Sequence, residues 1–298
     1  MLEIIKLLRV KHYIKNLLLF IPFFFSGDFF SEPNKIGKII LGVCAFSCVS
    51  SVVYIINDIK DVEKDRKHEV KKNRPIASGK VSVKLAVIIA VIMFVLMCII
   101  NTFINGSVFN YGIIYLLCYF ILNIFYSIRL KNIPIIDILI LASGFLIRVL
   151  YGANIVQVDV SNWLSLTVIA FSLYMGLGKR RNEFIKQDQG LTRAVLEKYS
   201  YPFLDKMMQM CMTLGIVFYS LWTLNIQDHP TMANKNYLVW TIPIVIYICM
   251  KYTLIVEGDS YGDPVDVLLS DKGLVIAVLI YVIAILFFIY GKGFFGVI

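Results

Sequence analysis

The chain has 298 residues, 59% of them hydrophobic and 16% charged, with a formal net charge of +9. Its mean hydropathy of +0.77 excludes a soluble domain built on one large core and points to a chain that crosses a membrane repeatedly. In a soluble protein a charge of +9 would suggest nucleic acid, but here the lysines and arginines gather between apolar segments. Membrane topology and an anionic lipid or substrate account for them better.

Nine apolar segments of spanning length are predicted, over approximately 13-31, 36-56, 83-103, 108-127, 134-153, 162-179, 207-227, 236-256 and 273-291. They form one all-α, polytopic membrane domain. The first apolar run, Leu17 to Phe25, lacks a small-residue cleavage site and follows a basic tail, so it reads as a first membrane helix and not as a cleavable signal. The six cysteines, Cys44, Cys48, Cys98, Cys118, Cys211 and Cys249, lie inside apolar runs with no CxxC pair. They are expected to be reduced, buried packing residues. With the N-terminus inside, 23 of the 29 lysines and arginines fall on the tail and the even-to-odd connections. That asymmetry predicts a cytoplasmic N-terminus in a cell inner (plasma) membrane.

The same side holds the chemistry. After the second segment comes Asn57-Asp58-Ile-Lys-Asp61-Val-Glu-Lys-Asp65, followed by Arg66, Lys67, Lys71, Lys72, Arg74 and Lys80. At about 100° per helical residue Asn57, Asp61 and Asp65 share a side and Asp58 lies near Asn57, whereas Glu63 points elsewhere. Three carboxylates and an amide make an oxygen-rich nest for a hard cation such as Mg²⁺, which commonly bridges to substrate phosphates. The basic residues behind them suit the rest of a polyphosphate. Lys67 and Lys72 serve equally well as topology signals.

Further along stand Tyr126-Ser127 and Arg129-Leu-Lys131, then Arg148 within the fifth segment, read either as cavity-facing or as snorkelling to the outer surface. The sixth segment runs into Lys179-Arg180-Arg181-Asn182-Glu183, which reads as an anion site or as a positive-inside anchor. A short interfacial helix is expected around Leu191 to Tyr199. Asp259, Asp263, Asp266 and Asp271 form either a turn-rich connection or a second acidic cluster. The outer connections, such as Asn101 to Ser107, carry no evident chemistry. His12, His68 and His229 have no ligand-like spacing, which argues against zinc.

The pattern N-D-x-x-D-x-x-x-D at Asn57, Asp58, Asp61 and Asp65 resembles the first Asp-rich motif of the UbiA superfamily of intramembrane prenyltransferases. The resemblance implies nine helices around a central cavity, with this motif binding Mg²⁺ and a diphosphate at the cytoplasmic side. Prenyl-transferring members carry a second Asp-rich motif where this chain has Lys179 to Glu183. Only Glu183 remains there as a possible metal contact. Lys15-Asn16-Leu17-Leu18, Asn73-Arg74-Pro75-Ile76-Ala77-Ser78-Gly79, Tyr126-Ser127, Leu130-Lys131, Gly144 to Arg148, Gly178 to Glu183, and Asp263-Pro264 with Leu268-Leu269 resemble one branch, the decaprenyl-phosphate phosphoribosyltransferases.

That branch implies transfer of 5-phosphoribose from phosphoribosyl diphosphate (PRPP) to a polyprenyl phosphate in a bacterial cell-envelope pathway. On this reading Asp58, Asp61 and Asp65 are catalytic and, with Asn57, hold the metal. Lys15, Asn16, Arg66, Lys71, Arg74, Tyr126, Lys131, Arg148, Lys179, Arg180 and Glu183 bind substrate. A prenyltransferase acting on a prenyl diphosphate, and a lipid-phosphate transporter, are the competing functions. The transporter calls for polar residues at both mouths of a pathway, which the bare outer connections do not supply.

Overall fold

The computed structural model describes residues 2–68, 71–107, 109–185, 195–225, 235–258 and 264–295. Among these residues every regular element is helical. They fall into two compact units. The first comprises Met1–Pro22, Glu32–Ile140 and Ile147–Val158; the second comprises Phe23–Ser31, Leu141–Leu146 and Asp159–Ile298.

The first unit begins with α1 (Leu2–Leu8), a 3-10 stretch (Val10–Phe20) and α2 (Ile21–Phe25), whose last residues pass to the second unit. Its centre is α3 (Pro33–Lys60), buried without a break from Ala45 to Val53. A helix that is buried all round belongs in the middle of its bundle. The short α4 (Val62–Arg66) continues it past Asp61. Next come α5 (Val83–Asn105), α6 (Tyr111–Ile128) and α7 (Ile136–Val156), of which Leu141–Leu146 counts with the second unit.

Local chemistry sets the ends of α5 and α6. The Ser82 hydroxyl accepts the Leu85 N–H at the start of α5, and Gly106, at φ 73°, ends it. Asn110 caps α6 by accepting the Ile113 N–H. On its inner face α5 packs Ala86 and Ala90 against Val52 and Ile55 of α3, with Leu7, Ile76 and Val81 closing the cluster. Its other face exposes Val87, Ile88, Val91, Ile92, Val95 and Ile99, as a helix facing hydrocarbon does.

The second unit contains α8 (Asn162–Ile185), α9 (Tyr201–Asn225), α10 (Ile242–Glu257), α11 (Pro264–Ser270) and α12 (Lys272–Phe295). Helices α8 and α9 approach closely at Gly215, where a Cβ would come 2.7 Å from the Phe171 ring. Tyr174 of α8 donates to the Cys249 carbonyl of α10 at 2.9 Å. Tyr290 of α12 donates to the Phe24 carbonyl at 2.8 Å.

Seven described helices are long and apolar enough to cross a membrane: Pro33–Lys60, Val83–Asn105, Tyr111–Ile128, Ile136–Val156, Tyr201–Asn225, Tyr237–Glu257 and Lys272–Gly291. The protein is a multi-pass, all-α membrane protein. The two remaining expected spans are also helical but lie outside that set. The sixth, α8, carries Asn162, Ser165, Thr167 and Ser172 among its apolar residues and ends in the Lys179 to Glu183 segment.

The first expected span, 13-31, is a 3-10 stretch and a five-residue helix. Tight backbone packing accompanies it, because a Cβ at Gly152 of α7 would overlap the Leu19 carbonyl. The connection from the eighth span to the ninth contains a further helix, α11, that no apolar run predicts. The seventh span starts six residues earlier than expected, at Tyr201.

The cysteines are all free, but Cys44 and Cys118 are exposed, contrary to their expected burial. Cys118 lies on the outer stripe of α6 with Ile114, Ile121 and Phe125. An apolar residue in a membrane helix has no need to turn inward. The expected interfacial helix appears only as the 3-10 turn Leu196–Lys198; residues 191–194, His229, Asp259 and Asp263 lie outside the described residues.

Candidate functional site

In the first unit, the α3–α4 junction distributes the acidic motif over two faces. Asp58 and Asp65 are seven residues apart, two helical turns, and both are buried. Arg74 reaches both, its Nη1 lying 3.0 Å from Asp58 Oδ1 and 2.7 Å from Asp65 Oδ2. Arg9 adds a second guanidinium, donating to Asp58 Oδ1 at 2.5 Å. Asn57 and Asp61, one turn apart, face the end of α6 instead. Ser127 donates its hydroxyl to Asn57 Oδ1 at 3.2 Å, and Lys131 spans both Asp61 oxygens at 2.9 and 2.7 Å. Lys60 donates to the Ser127 carbonyl at 2.8 Å.

The loop after α4 explains how Arg74 arrives there. Ser78 N–H bonds to the Arg74 carbonyl at 2.8 Å and Val81 N–H to that of Pro75 at 2.9 Å. Gly79, at φ 76°, makes the reversal. Pro75, Ile76 and Ala77 are buried beneath it. Arg66 braces the same loop through the Ala77 carbonyl at 3.3 Å and pairs with Glu63 at 2.8 Å. It lies on the exposed side of α4.

Arg9 has φ 54° and ψ 46°, a left-handed conformation uncommon for a residue with a side chain. Its guanidinium covers the Tyr54 ring at 4.7 Å. Stacking and ion pairing together hold the turn in that conformation.

Arg148 does not snorkel. It is buried in the first unit, donating from Nε to Asn16 Oδ1 at 2.8 Å and from Nη2 to the Tyr119 hydroxyl at 3.3 Å. The Phe46 and Tyr119 rings flank its guanidinium at 4.6 and 4.9 Å. Asn16 in turn donates to Ser47 Oγ at 2.9 Å. Two predicted substrate residues are thus partners of each other. Lys15, Lys71 and Tyr126 are half-buried in the same unit.

In the second unit the basic segment of α8 is engaged with acids. Arg180, fully buried, pairs with Glu183 one turn on at 2.6 Å. Arg181 donates to Asp205 at 3.0 Å and to the Tyr201 hydroxyl, and lies 3.8 Å from Glu257. Asn182 donates to the Val256 carbonyl at 2.7 Å. Arg181 and Asn182 therefore tie α8 to α9 and α10, while Lys179 is half-buried beside them.

Asp271 caps α12 by accepting the Leu274 N–H at 2.8 Å and pairs with Lys251 at 3.2 Å. That backbone N–H, with Lys251 beside it, holds the Asp271 carboxyl below its ordinary range. Asp266 sits in the first turn of α11.

A single nest of three carboxylates, as expected from the sequence, is absent among the described residues: no group of three or more His, Cys, Asp or Glu stands ready for a metal. The helix places Asp58 with Asp65 and leaves Asp61 with Asn57, and a cation stands on each carboxylate. The donor set still fits Mg²⁺ chemically, being carboxylate and amide oxygen throughout.

Arg9, Tyr54, Lys60 and Ser127 belong to the cluster although the sequence reading did not select them. Ser127 carried a signal, since it adjoins Tyr126 in the Tyr126-Ser127 pair. Arg9 offered none beyond its charge.

The UbiA prenyltransferase family pattern matches residues 19–179. The decaprenyl-phosphate phosphoribosyltransferase of Corynebacterium glutamicum is 31% identical over 289 residues, covering 96% of this chain and 86% of that protein. The protein of the same name from Mycolicibacterium smegmatis is 30% identical, covering 94% and 90% respectively. Among solved structures, a UbiA homolog from Archaeoglobus fulgidus bound to GPP and Mg²⁺ superposes with a TM-score of 0.71 at 17% identity, over 95% of this chain and 98% of that one. That likeness speaks for the fold; the family pattern and the two relatives carry the assignment. The chain belongs to the UbiA prenyltransferase family.

Proposed function

We propose that this protein transfers 5-phosphoribose from PRPP to a polyprenyl phosphate with Mg²⁺, releasing diphosphate, at the cytoplasmic side of a cell inner membrane that it crosses nine times. The observation that carries the reading is the end-to-end likeness to two relatives of that name, over 96% and 94% of this chain. The α8 segment supports it. Where a prenyl diphosphate clamp needs a second acidic motif, this chain has Lys179, Arg180 and Arg181.

In this reading Asp58, Asp61 and Asp65, with Asn57, hold the metal. Bound Mg²⁺ supplies neutralisation of the departing diphosphate. Arg74 and Lys131 bind diphosphate oxygens and stabilise the charge that grows on them as the C1–O bond breaks, commonly the largest contribution in such sites. The ribose passes through an oxocarbenium-like state. An oxygen of the lipid phosphate then forms the new bond to C1.

That oxygen is already anionic near neutral pH, so no strong general base is needed. Lys15 and Lys179 hold the two monophosphates. Arg180 acts through Glu183, and Arg148 through Asn16. Tyr126, Lys71 and Arg66 line the approach of the donor, Arg66 by bracing the Arg74 loop.

Purified protein with Mg²⁺, labelled PRPP and polyprenyl phosphate should give a labelled lipid. Transfer from a prenyl diphosphate to an aromatic acceptor, with no labelled lipid from PRPP, would overturn the proposal.

A further inference from the structure

The acidic motif of α3 and α4 is already matched in charge by the protein itself. Asp58 is met by Arg9 and Arg74, Asp65 by Arg74, and Asp61 by Lys131. Lys60 stands on the neighbouring Ser127 carbonyl. At least as many cations as carboxylates are present. Asp58 and Asp65 are nearly closed to solvent, where interactions between charges are screened least.

Two consequences follow from electrostatics. A divalent cation arriving alone meets a neutral or positive cluster and must compete for oxygens that an ammonium or guanidinium already holds. A divalent cation that arrives with a diphosphate brings the anion to which those side chains can turn. Lys131 has the reach for such a change, being a flexible four-carbon stem with rotatable donors, and it is partly exposed.

We infer that Arg9, Arg74 and Lys131 are stand-in cations for the metal-site carboxylates, and that they yield them only to a divalent cation accompanied by diphosphate. This rests on the reading of Asp58, Asp61 and Asp65 as metal ligands. Such an arrangement makes the metal–diphosphate unit of the donor the species recognised. It also keeps the carboxylates paired between turnovers, avoiding the cost of buried unpaired charge.

The test is equilibrium dialysis of the full chain in detergent against labelled Mn²⁺, alone and with inorganic diphosphate. Wild type should retain Mn²⁺ with diphosphate and at least tenfold more weakly without it. Lys131→Met should bind Mn²⁺ alone at least tenfold more tightly than wild type, and Arg9→Gln should shift the same way. Lys131→Arg, which keeps the charge, should behave as wild type.

Equal retention of Mn²⁺ by wild type with and without diphosphate overturns the inference and leaves the metal site standing. Diphosphate-dependent retention in wild type, with no gain in either neutral variant, overturns the stand-in role. No retention in any arm, while labelled lipid product still forms, removes the metal from these carboxylates altogether and the inference with it.

Discussion

Two of the polar clusters in the first unit, each in otherwise apolar surroundings, are satisfied in opposite ways. Near the ends of α5 and α6, Asn101 donates to Asn110 at 3.3 Å and accepts from Tyr151 at 3.1 Å, and Asn105 donates to the Asn101 side chain at 3.2 Å. An amide is both donor and acceptor, so these residues complete one another with no charge to balance. The acidic motif cannot do this. Carboxylates only accept, so Asp58, Asp61 and Asp65 must borrow Arg9, Arg74 and Lys131 from other segments.

The contrast separates structure from function. A self-completed amide knot has nothing to exchange, and it locks the α5–α6 hairpin to α7. A carboxylate held by a cation can trade that partner for a metal or a phosphate. Chemistry is expected where partners are exchangeable, and stability where they are not.

The sharpest way to break the comparison is Asp61→Asn. Asp61 is the most accessible of the three carboxylates, with 22% of its side chain exposed against 3% for Asp58, so folding should suffer least there. The lost charge should lower turnover by about 10³-fold, the scale of one well-placed electrostatic group. The thermal midpoint should move little, because Lys131 can turn to water. Mg²⁺-dependent activity within tenfold of wild type would remove Asp61 from the site.

Asn101→Leu probes the other cluster and should reverse the pattern. Asn101 is fully buried, and its loss takes away the acceptor of the buried Tyr151 hydroxyl, while Asn105 keeps the Asn101 backbone carbonyl and Asn110 keeps Ser107 and Ile113. Leaving buried polar groups unsatisfied costs about 2 kcal/mol. Denaturation in detergent should show that loss, while activity per folded molecule stays within about twofold. A selective loss of activity at unchanged stability would make the knot part of the site.

The two clusters were not equally legible in the sequence. The acidic motif announced itself because its members are one or two helical turns apart and charge is rare in this chain. Helix α5 was equally plain, since the apolar run expected over 83-103 lies within Val83–Asn105. The knot was invisible: Asn101 meets a residue nine positions away and another fifty away, and no periodicity connects them.

Arg9 was missed for the same reason, being 49 residues from Asp58. The onset of α9 at Tyr201 was hidden because Asp205 looks like loop until Arg181 is seen beside it. The 3-10 form of the first span accompanies the close approach at Gly152, a tertiary fact. Local chemistry was readable; pairings between distant segments were not.

Gly112→Ala sharpens the comparison with the smallest expected effect. Inside a helix this change ordinarily stabilises by about 0.5–1 kcal/mol, because alanine orders at lower entropic cost. Here the new Cβ would lie 2.8 Å from both Asn101 Oδ1 and Asn110 Oδ1, and 3.1 Å from Asn105 Nδ2. Those side-chain ends are free to move in isolation, but each is held by the others. Displacing them should cost about 1–3 kcal/mol, as overpacking commonly does, and the net effect should be a loss of about 1 kcal/mol with activity unchanged. A gain in stability in thermal melting would show that the amides shift without penalty. The knot would then be no more fixed than the ion pairs of the acidic motif.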